Sequence, residues 1–284
     1  MIPLPPADGI AALVSRALDE DVGDGDLTAS LVAADARAEA DLLLRENAVF
    51  CGRAWADAVF AQVDGRIEAR WHADDGQQLA AGTRLLELHG PARALLTAER
   101  TAINFLQTLS GTATLTRAFV DAVAGTGAAI ADTRKTLPGL RRAQKYAVRC
   151  GGGTNHRMGL YDAVLVKENH IAAAGGLPAA IAAARALQLE VPLMCEAENL
   201  DELNQALAAD VDLVLVDDVD LATLVEAVRR TRTHRANGGR TLLEYSGGAT
   251  LDTVRGLAET GVDRISVGAL TKHLRAVDLS LRFR

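Results

Sequence analysis

From Gly127 onward the chain repeats one pattern: a short apolar run of β type, a turn, a helical stretch, then the next run. The runs are AAIADT (128–133), YAVRCG (146–151), DAVLVK (162–167), VPLMCEAE (191–198), DLVLVDD (212–218), TLLEYSGG (241–248) and DRISVG (263–268). Helical stretches such as 177–188, 200–209, 220–231 and 250–260 separate them. Continuous apolar runs belong to strands covered on both faces, and a helix between successive runs makes each crossover a parallel βα unit. Seven runs of this kind predict a closed parallel α/β barrel. An open doubly wound sheet satisfies the same pattern.

The part before Gly127 is organised differently. Residues 8–20 read as an amphipathic helix with Ile10, Leu13, Val14 and Leu18 apolar, running into the acidic segment DEDVGDGDLTAS. That segment reads as a turn, since Asp21, Asp24 and Asp26 lack the downstream bidentate Glu of a calcium loop. Strand-like stretches lie on either side of a turn at Arg45–Asn47, a helix spans about 54–63, and two further strands flank Asp74–Gly76 and Gly82. Together they predict a small α/β layer. Residues 91–109 carry the apolar stripe Leu95, Leu96, Ala102, Ile103, Leu106 and Leu109 of a helix, and Ser110 or Thr112 offers a cap for a second one through Val123. Arg100 interrupts the stripe, so it either snorkels from a packed face or points at a site. The closing AVDLSLRFR alternates as a half-buried strand does and returns to the first domain. The expected division is therefore 1–110, completed by 276–284, and 111–275.

A chain of 284 residues with 49% hydrophobic content can bury a full core. Its net charge of -7 argues against a general nucleic-acid or membrane-surface binder, which needs a positive face. Cys51, Cys150 and Cys195 are far apart in sequence with no CxxC pair, which predicts a reducing, cytoplasmic setting and no zinc or redox centre. The residues MIPLPPADGI have no basic region followed by an apolar core, and no run approaches the ~20 apolar residues of a membrane span.

Against that acidic background, residues 132–170 form a cationic island. It holds Arg134, Lys135, Arg141, Arg142, Lys145, Arg149, Arg157, Lys167, His156 and His170, including three of only four lysines in the chain. In a parallel barrel the C-terminal strand ends converge on one mouth. The run ends supply Asp132, Lys167, Glu196, Asp217 and Glu244, with Arg134, Lys135 and Glu198 just beyond. Arg134 and Arg157 can grip carboxylates bidentately, and Lys135 and Lys167 add point charges, which suits a small dicarboxylate. Glu196, Glu198 and Asp217 are hard oxygen donors suited to magnesium, which usually accompanies substrate phosphates. SGG (246–248) and SVGAL (266–270), after the last two runs, and GGGTNHR (151–157) are candidate phosphate loops. His156, beside Arg157, is a candidate general acid or electrostatic partner. Arg141, Arg142 and Lys145 read as a solvated helix face.

The stretch DTRKTLPGLRRAQKYAVRCGGGTNHRMGLYDAVLVKENHI resembles the quinolinate phosphoribosyltransferase family, as do LDEDVGDGDLT, TAERTAINFLQTLSGTAT, CEAEN, LVLVDD, YSGG and ISVGALTK, in family order. The resemblance implies an enzyme with an N-terminal α/β sandwich domain and a seven-stranded parallel α/β barrel. It also implies conversion of quinolinate and phosphoribosyl pyrophosphate to nicotinate mononucleotide, pyrophosphate and CO2 in NAD biosynthesis. By the same resemblance quinolinate is held by Arg100, Arg134, Lys135, His156, Arg157 and Lys167. The chemistry of this reaction leads to the expectation that the catalytic residues are Lys135 and Lys167 or His156, which stabilise or protonate the C2 carbanion, with Glu196 and Asp217 at the departing pyrophosphate. Glu196 and Asp217 serve Mg2+ and the ribose-pyrophosphate, and Ser246, Gly247, Gly248 and Gly268 serve the 5′-phosphate. A homodimer, in which Arg100 reaches the partner's barrel mouth, is implied too. Glu168, Asp218 and Tyr245 depart from the family's commoner Asp, Asn and Ala. Other readings are a relative acting on a monocarboxylate such as nicotinate, and a non-catalytic phosphate-binding barrel.

Overall fold

The computed structural model describes residues 2–284. Its first elements are α1 (Ala7–Val22), β1 (Arg37–Leu44), β2 (Ala48–Val49), α2 (Arg53–Val63), β3 (Glu68–Trp71), β4 (Gln78–Leu79), β5 (Arg84–Pro91) and α3 (Ala92–Ala122). There follow β6 (Ala129–Ala131), α4 (Arg141–Cys150), β7 (Val164–Val166), α5 (Glu168–Ala174), α6 (Leu177–Ala186), β8 (Leu193–Ala197) and α7 (Leu200–Ala208). The chain ends with β9 (Leu213–Asp217), α8 (Leu221–Ala236), β10 (Leu242–Ser246), α9 (Val254–Glu259), β11 (Arg264–Ser266), α10 (Ala269–Lys272) and β12 (Leu279–Phe283). Two compact units are formed: Met1–Arg117 with Leu137–Gly152 and Leu270–Arg284, and Ala118–Thr136 with Gly153–Ala269.

The first unit is built on an antiparallel sheet in the order β12-β1-β5-β3. Strand β1 alternates, with Ala40, Leu42 and Leu44 buried on one face and Asp41 on the other. The inward residues join Val14, Phe50, Trp55, Leu86, Leu95, Leu106 and Leu109 in one core. Burying a side chain of that size contributes about 1.5–3 kcal/mol. The outer face is an ion-pair lattice in which Arg84 meets Glu87 at 2.7 Å and Arg284 bonds Asp41.

Helix α3 is a single helix, not two. Of the two hydroxyls read as caps, Ser110 Oγ is engaged sideways, accepting from Cys51 N at 2.9 Å and donating to Cys51 O, and Thr112 Oγ1 is buried without capping a helix. The expected boundary at 110/111 thus falls inside an unbroken helix, and residues 137–152 group with the first unit. Asp21 and Asp26 are tied to α3 through Thr101 and Thr97, and Asp26 also accepts from Ala29 N.

YAVRCG is helical rather than a strand. Ala143, Tyr146, Ala147 and Cys150, spaced i, i+3, i+4 and i+7, are all buried on α4. The alternation of Tyr146, Val148 and Cys150 imitates a strand, but this 3.6-residue stripe decides. Lys145 is buried too, correcting its place on a solvated face; Arg142 and Arg149 are exposed.

The second unit is a parallel sheet ordered β6-β11-β10-β9-β8-β7, alternating with helices, as in an α/β barrel. Six strands are detected among the described residues. Beside β6 the neighbouring position is filled by Thr154 alone, in a parallel bridge to Ala131.

At the opposite end of these strands Asp210 adopts a left-handed φ of 44°. Its carboxylate accepts from Arg240 N at 2.8 Å and meets His234 Nε2 at 3.0 Å. The Arg240 N–H, then His234, hold its pKa at about 2. Because this lies below the unfolded value of ~3.9, the stabilisation is complete above about pH 4 and is lost as pH falls towards 2. Asp210→Asn should therefore lower Tm near neutrality by an amount that vanishes in acid. A constant offset across that range would count against the assignment.

Candidate active site

Strand register aligns Ala131, Ser266, Ser246 and Asp217 in one row across β6, β11, β10 and β9. Lys167, just after β7, is level with Glu196 of β8, by continuation of the Val166–Cys195 pair. The parallel sheet thus gathers the predicted strand-end residues at one edge.

Asp132, fully buried, anchors the loop that follows α4. It accepts from His156 N at 2.9 Å and Asn155 Nδ2 at 2.6 Å, while Asp132 N donates to Thr154 O. Asp162 closes the next turn by accepting from Met158 N and Gly159 N at 2.6 and 2.9 Å. Arg157 is thereby held between two carboxylate-clamped turns, and its Nη1 donates to Ala163 O at 3.3 Å. Burial and the neighbouring Arg134 guanidinium lower the Arg157 pKa, opposed by Asp162 and Glu196. Two guanidiniums repelling each other at the mouth form a site that an anion relieves.

Lys167 Nζ bonds Glu196 Oε1, with the lysine side chain 44% exposed. Lys135 is exposed and Arg134 half-buried. Asp217 is exposed at the end of β9, and Asp218 takes a φ of 50° with its N–H donating to Ser246 O at 2.7 Å. Tyr245, one of the departures, donates its hydroxyl to Gly247 O at 2.8 Å. Burial, then Asp218 and Asp217, raise its pKa. A Cβ at Gly247 would lie 2.7 Å from the Tyr245 hydroxyl and 3.0 Å from Asp218 Cα, so this loop depends on glycine for close approach. Gly248 has φ 56°, and Gly268 follows β11. Arg100 belongs to the first unit, exposed on α3.

Several features depart from the sequence reading. Glu244 is not at a strand end but inside β10, fully buried. Gly151 serves packing rather than phosphate: its Cβ would lie 2.5 Å from Ala113 O and from Thr116 Cβ. Cys51 and Cys150 are brought together, their sulfurs and an Asp75 oxygen lying within 4.8 Å of one another. Asp75 accepts from Gly52 N, Arg53 N and the Tyr146 hydroxyl, and burial pushes the Cys51 thiol up, keeping it protonated. Sequence reasoning missed the pair Glu244–Arg264, whose signal is one opposite charge within each of two adjacent apolar runs.

Residues 26–110 match the family model of the quinolinate phosphoribosyl transferase N-terminal domain, and residues 112–282 match that of its C-terminal domain. The chain belongs to the quinolinate phosphoribosyltransferase family. Within this family it is 44% identical over 280 residues to a carboxylating nicotinate-nucleotide pyrophosphorylase of Mycobacterium leprae, covering 96% of this chain and 97% of that one. A probable carboxylating nicotinate-nucleotide pyrophosphorylase of Bacillus subtilis is 39% identical, covering 92% of this chain and 89% of the relative. The solved nicotinate-nucleotide pyrophosphorylase of Francisella tularensis superposes with a TM-score of 0.95 at 45% identity, over 100% of this chain and 99% of that one. A human nicotinic acid phosphoribosyltransferase, at 13% identity and TM-score 0.61, shares the fold alone with this quinolinate phosphoribosyltransferase family member.

Proposed function

We propose that this protein transfers the phosphoribosyl group of phosphoribosyl pyrophosphate to the nitrogen of quinolinate, with loss of the C2 carboxylate as CO2, yielding nicotinate mononucleotide for NAD biosynthesis. What supports the substrate choice is that the Arg134 guanidinium acts on Arg157, with Lys135 next to Arg134 in the chain and Lys167 bonded to Glu196, which also acts on Arg157. One carboxylate would leave surplus positive charge in a partly desolvated mouth; two vicinal carboxylates match it.

In this reading Arg134 and Arg157 orient the pyridine dicarboxylate so that its nitrogen faces the ribose C1, with Arg157 set by its two clamped turns. The C1–pyrophosphate bond breaks with oxocarbenium character, and the nitrogen lone pair forms the new bond. The resulting pyridinium makes C2 a good carbanion centre: the C2–carboxylate bond breaks, CO2 leaves, and the electron pair stays on C2. Lys135 or Lys167 stabilises that charge and supplies the proton. Ser246, Gly247 and Gly248 receive the 5′-phosphate, with Gly268 beside them. Glu196 and Asp217, carboxylates on adjacent strands, are the right donor type for a hard divalent cation. Magnesium held there would neutralise the oxygens of the departing pyrophosphate.

The test is to incubate the protein with carboxyl-labelled quinolinate, phosphoribosyl pyrophosphate and Mg2+, with nicotinate as the competing substrate. Release of labelled CO2 with formation of nicotinate mononucleotide, lost on chelation, is the expected result. Turnover of nicotinate without CO2 release would replace this reading with the monocarboxylate one.

We further infer a cytoplasmic homodimer in which Arg100 completes the partner's site, on the strength of that exposed arginine on α3 and the family resemblance. Co-expressing an Arg100→Ala chain with a Lys167→Ala chain should restore activity, since one mixed site keeps both residues. An inactive mixture would mean self-contained subunits.

A further inference from the structure

Beneath the proposed quinolinate site lies a buried charge pair, Glu244 and Arg264, that leads to the predicted substrate residue His156. Glu244 on β10 and Arg264 on β11 are register partners, and Arg264 Nε bonds Glu244 Oε2. Glu244 is fully buried, and its other oxygen, Oε1, faces His156 Nε2 at 3.8 Å. His156 is itself only 8% exposed. On the far side of the ring, His156 Nδ1 accepts the Arg157 backbone N–H at 2.7 Å. A nitrogen that accepts carries no proton, so the ring in this arrangement is the neutral form with its proton on Nε2, directed at Glu244. His156 is also pinned from below by its own N–H on Asp132. Burial raises the Glu244 pKa, with Arg264 opposing; Asp132 adds to the rise.

We propose that Glu244 is a positioning residue for quinolinate binding: with Arg264 it fixes the orientation and Nε2–H form of His156, which in turn fixes the backbone, and so the guanidinium, of Arg157. This rests on the proposed function for the identity of the substrate. The geometry gives the reason for two opposite charges facing each other within this strand pair. Arg264 holds one Glu244 oxygen so that the other faces the imidazole, and the imidazole leaves Nδ1 free to accept from the residue that grips substrate. A line of this kind acts through substrate placement and not through the ribose or pyrophosphate.

The experiment uses the full-length protein with ring-15N histidine. In the wild type, the His156 signals, assigned with His156→Gln, should show a pyrrole-type Nε2 and a pyridine-type Nδ1. The reverse pattern in the folded wild type overturns the proposal without any activity measurement. Kinetics then compare Glu244→Gln, which keeps an acceptor oxygen, with Glu244→Leu/Arg264→Leu, which removes both charges and orphans neither. The double variant should raise KM for quinolinate about 10-fold, with kcat and the KM for phosphoribosyl pyrophosphate moving less than about 2-fold, and its tautomer signals should become mixed. Glu244→Gln should keep the wild-type tautomer and fall between the two. Equal changes in both KM values, or an unchanged quinolinate KM, overturn the proposal. Failure of the wild type to release CO2 from quinolinate instead removes the functional reading, leaving the tautomer result to stand by itself.

Discussion

Lys167→Ala should lower the rate of CO2 release from quinolinate about 10²–10³-fold, the scale seen when one preorganised group that stabilises developing charge is removed. Lys167 directly follows β7, and its backbone N–H is held by His170 Nδ1 at 3.0 Å, so the side chain starts from a fixed point. Its ammonium bonds Glu196 from the adjacent strand, which places this cation directly beside the proposed metal-binding carboxylate. In the proposed reaction, quinolinate would compete with Glu196 for that charge and leave the carboxylate available to a cation. The variant therefore loses charge on both sides of the reacting centre. Folding should barely change, because a half-exposed pair of this type contributes about 0–1 kcal/mol. Lys167→Arg keeps the charge but spreads it over a planar fork, and should recover binding more than turnover. Single-turnover CO2 release with a parallel Tm measurement checks this, and near-normal release from Lys167→Ala would remove the lysine from the mechanism.

Gly151→Ala should produce the opposite signature: a large loss of stability. The added methyl would sit 2.5 Å from the Ala113 carbonyl oxygen and from Thr116 Cβ, with Thr116 Cγ2 at 2.9 Å. Two of those atoms cannot swing aside, since Ala113 O belongs to the α3 backbone and Thr116 is fully buried with its hydroxyl on Thr112 O. Overpacking typically costs 1–3 kcal/mol, and a contact with backbone belongs at about 3 kcal/mol or above. For a chain of this size that corresponds to a Tm decrease of roughly 6–12 °C. Gly256→Ala, on the exposed face of α9, is the control, because nothing lies within 4 Å of its added methyl. A Tm for Gly151→Ala within a degree or two of the parent would show that α3 and α4 can separate at no cost.

Both experiments concern one stretch, residues 132–170, and it shows which kinds of information a sequence carries. The strand-end cations were legible because parallel strands ending in charge place that charge at a common edge, whatever the details of packing. Asp217 beside Ser246, and Lys167 level with Glu196, follow from register alone. The glycine triplet was not legible, because a glycine used for helix packing and one used to approach phosphate are identical in sequence. Lys145 was misplaced for a related reason: its neighbours Arg141, Arg142 and Arg149 suggest a wet helix face, but burial depends on what packs against that face. The pair Glu244–Arg264 lies between these cases. Its charges were visible, yet only the register of β10 with β11 makes them partners.

By itself the sequence determined the two-part plan, the parallel βα order of the second part, the family and the cation-rich mouth. Those properties follow from periodicity and from the identity of residues at strand ends, both local in the chain. Tertiary structure alone decided that α3 is unbroken, that YAVRCG is a helix, that Cys51 meets Cys150, and that His156 turns its two nitrogens to Arg157 and Glu244. Each of these depends on contacts between residues far apart in sequence, where packing and hydrogen-bond satisfaction override local preference.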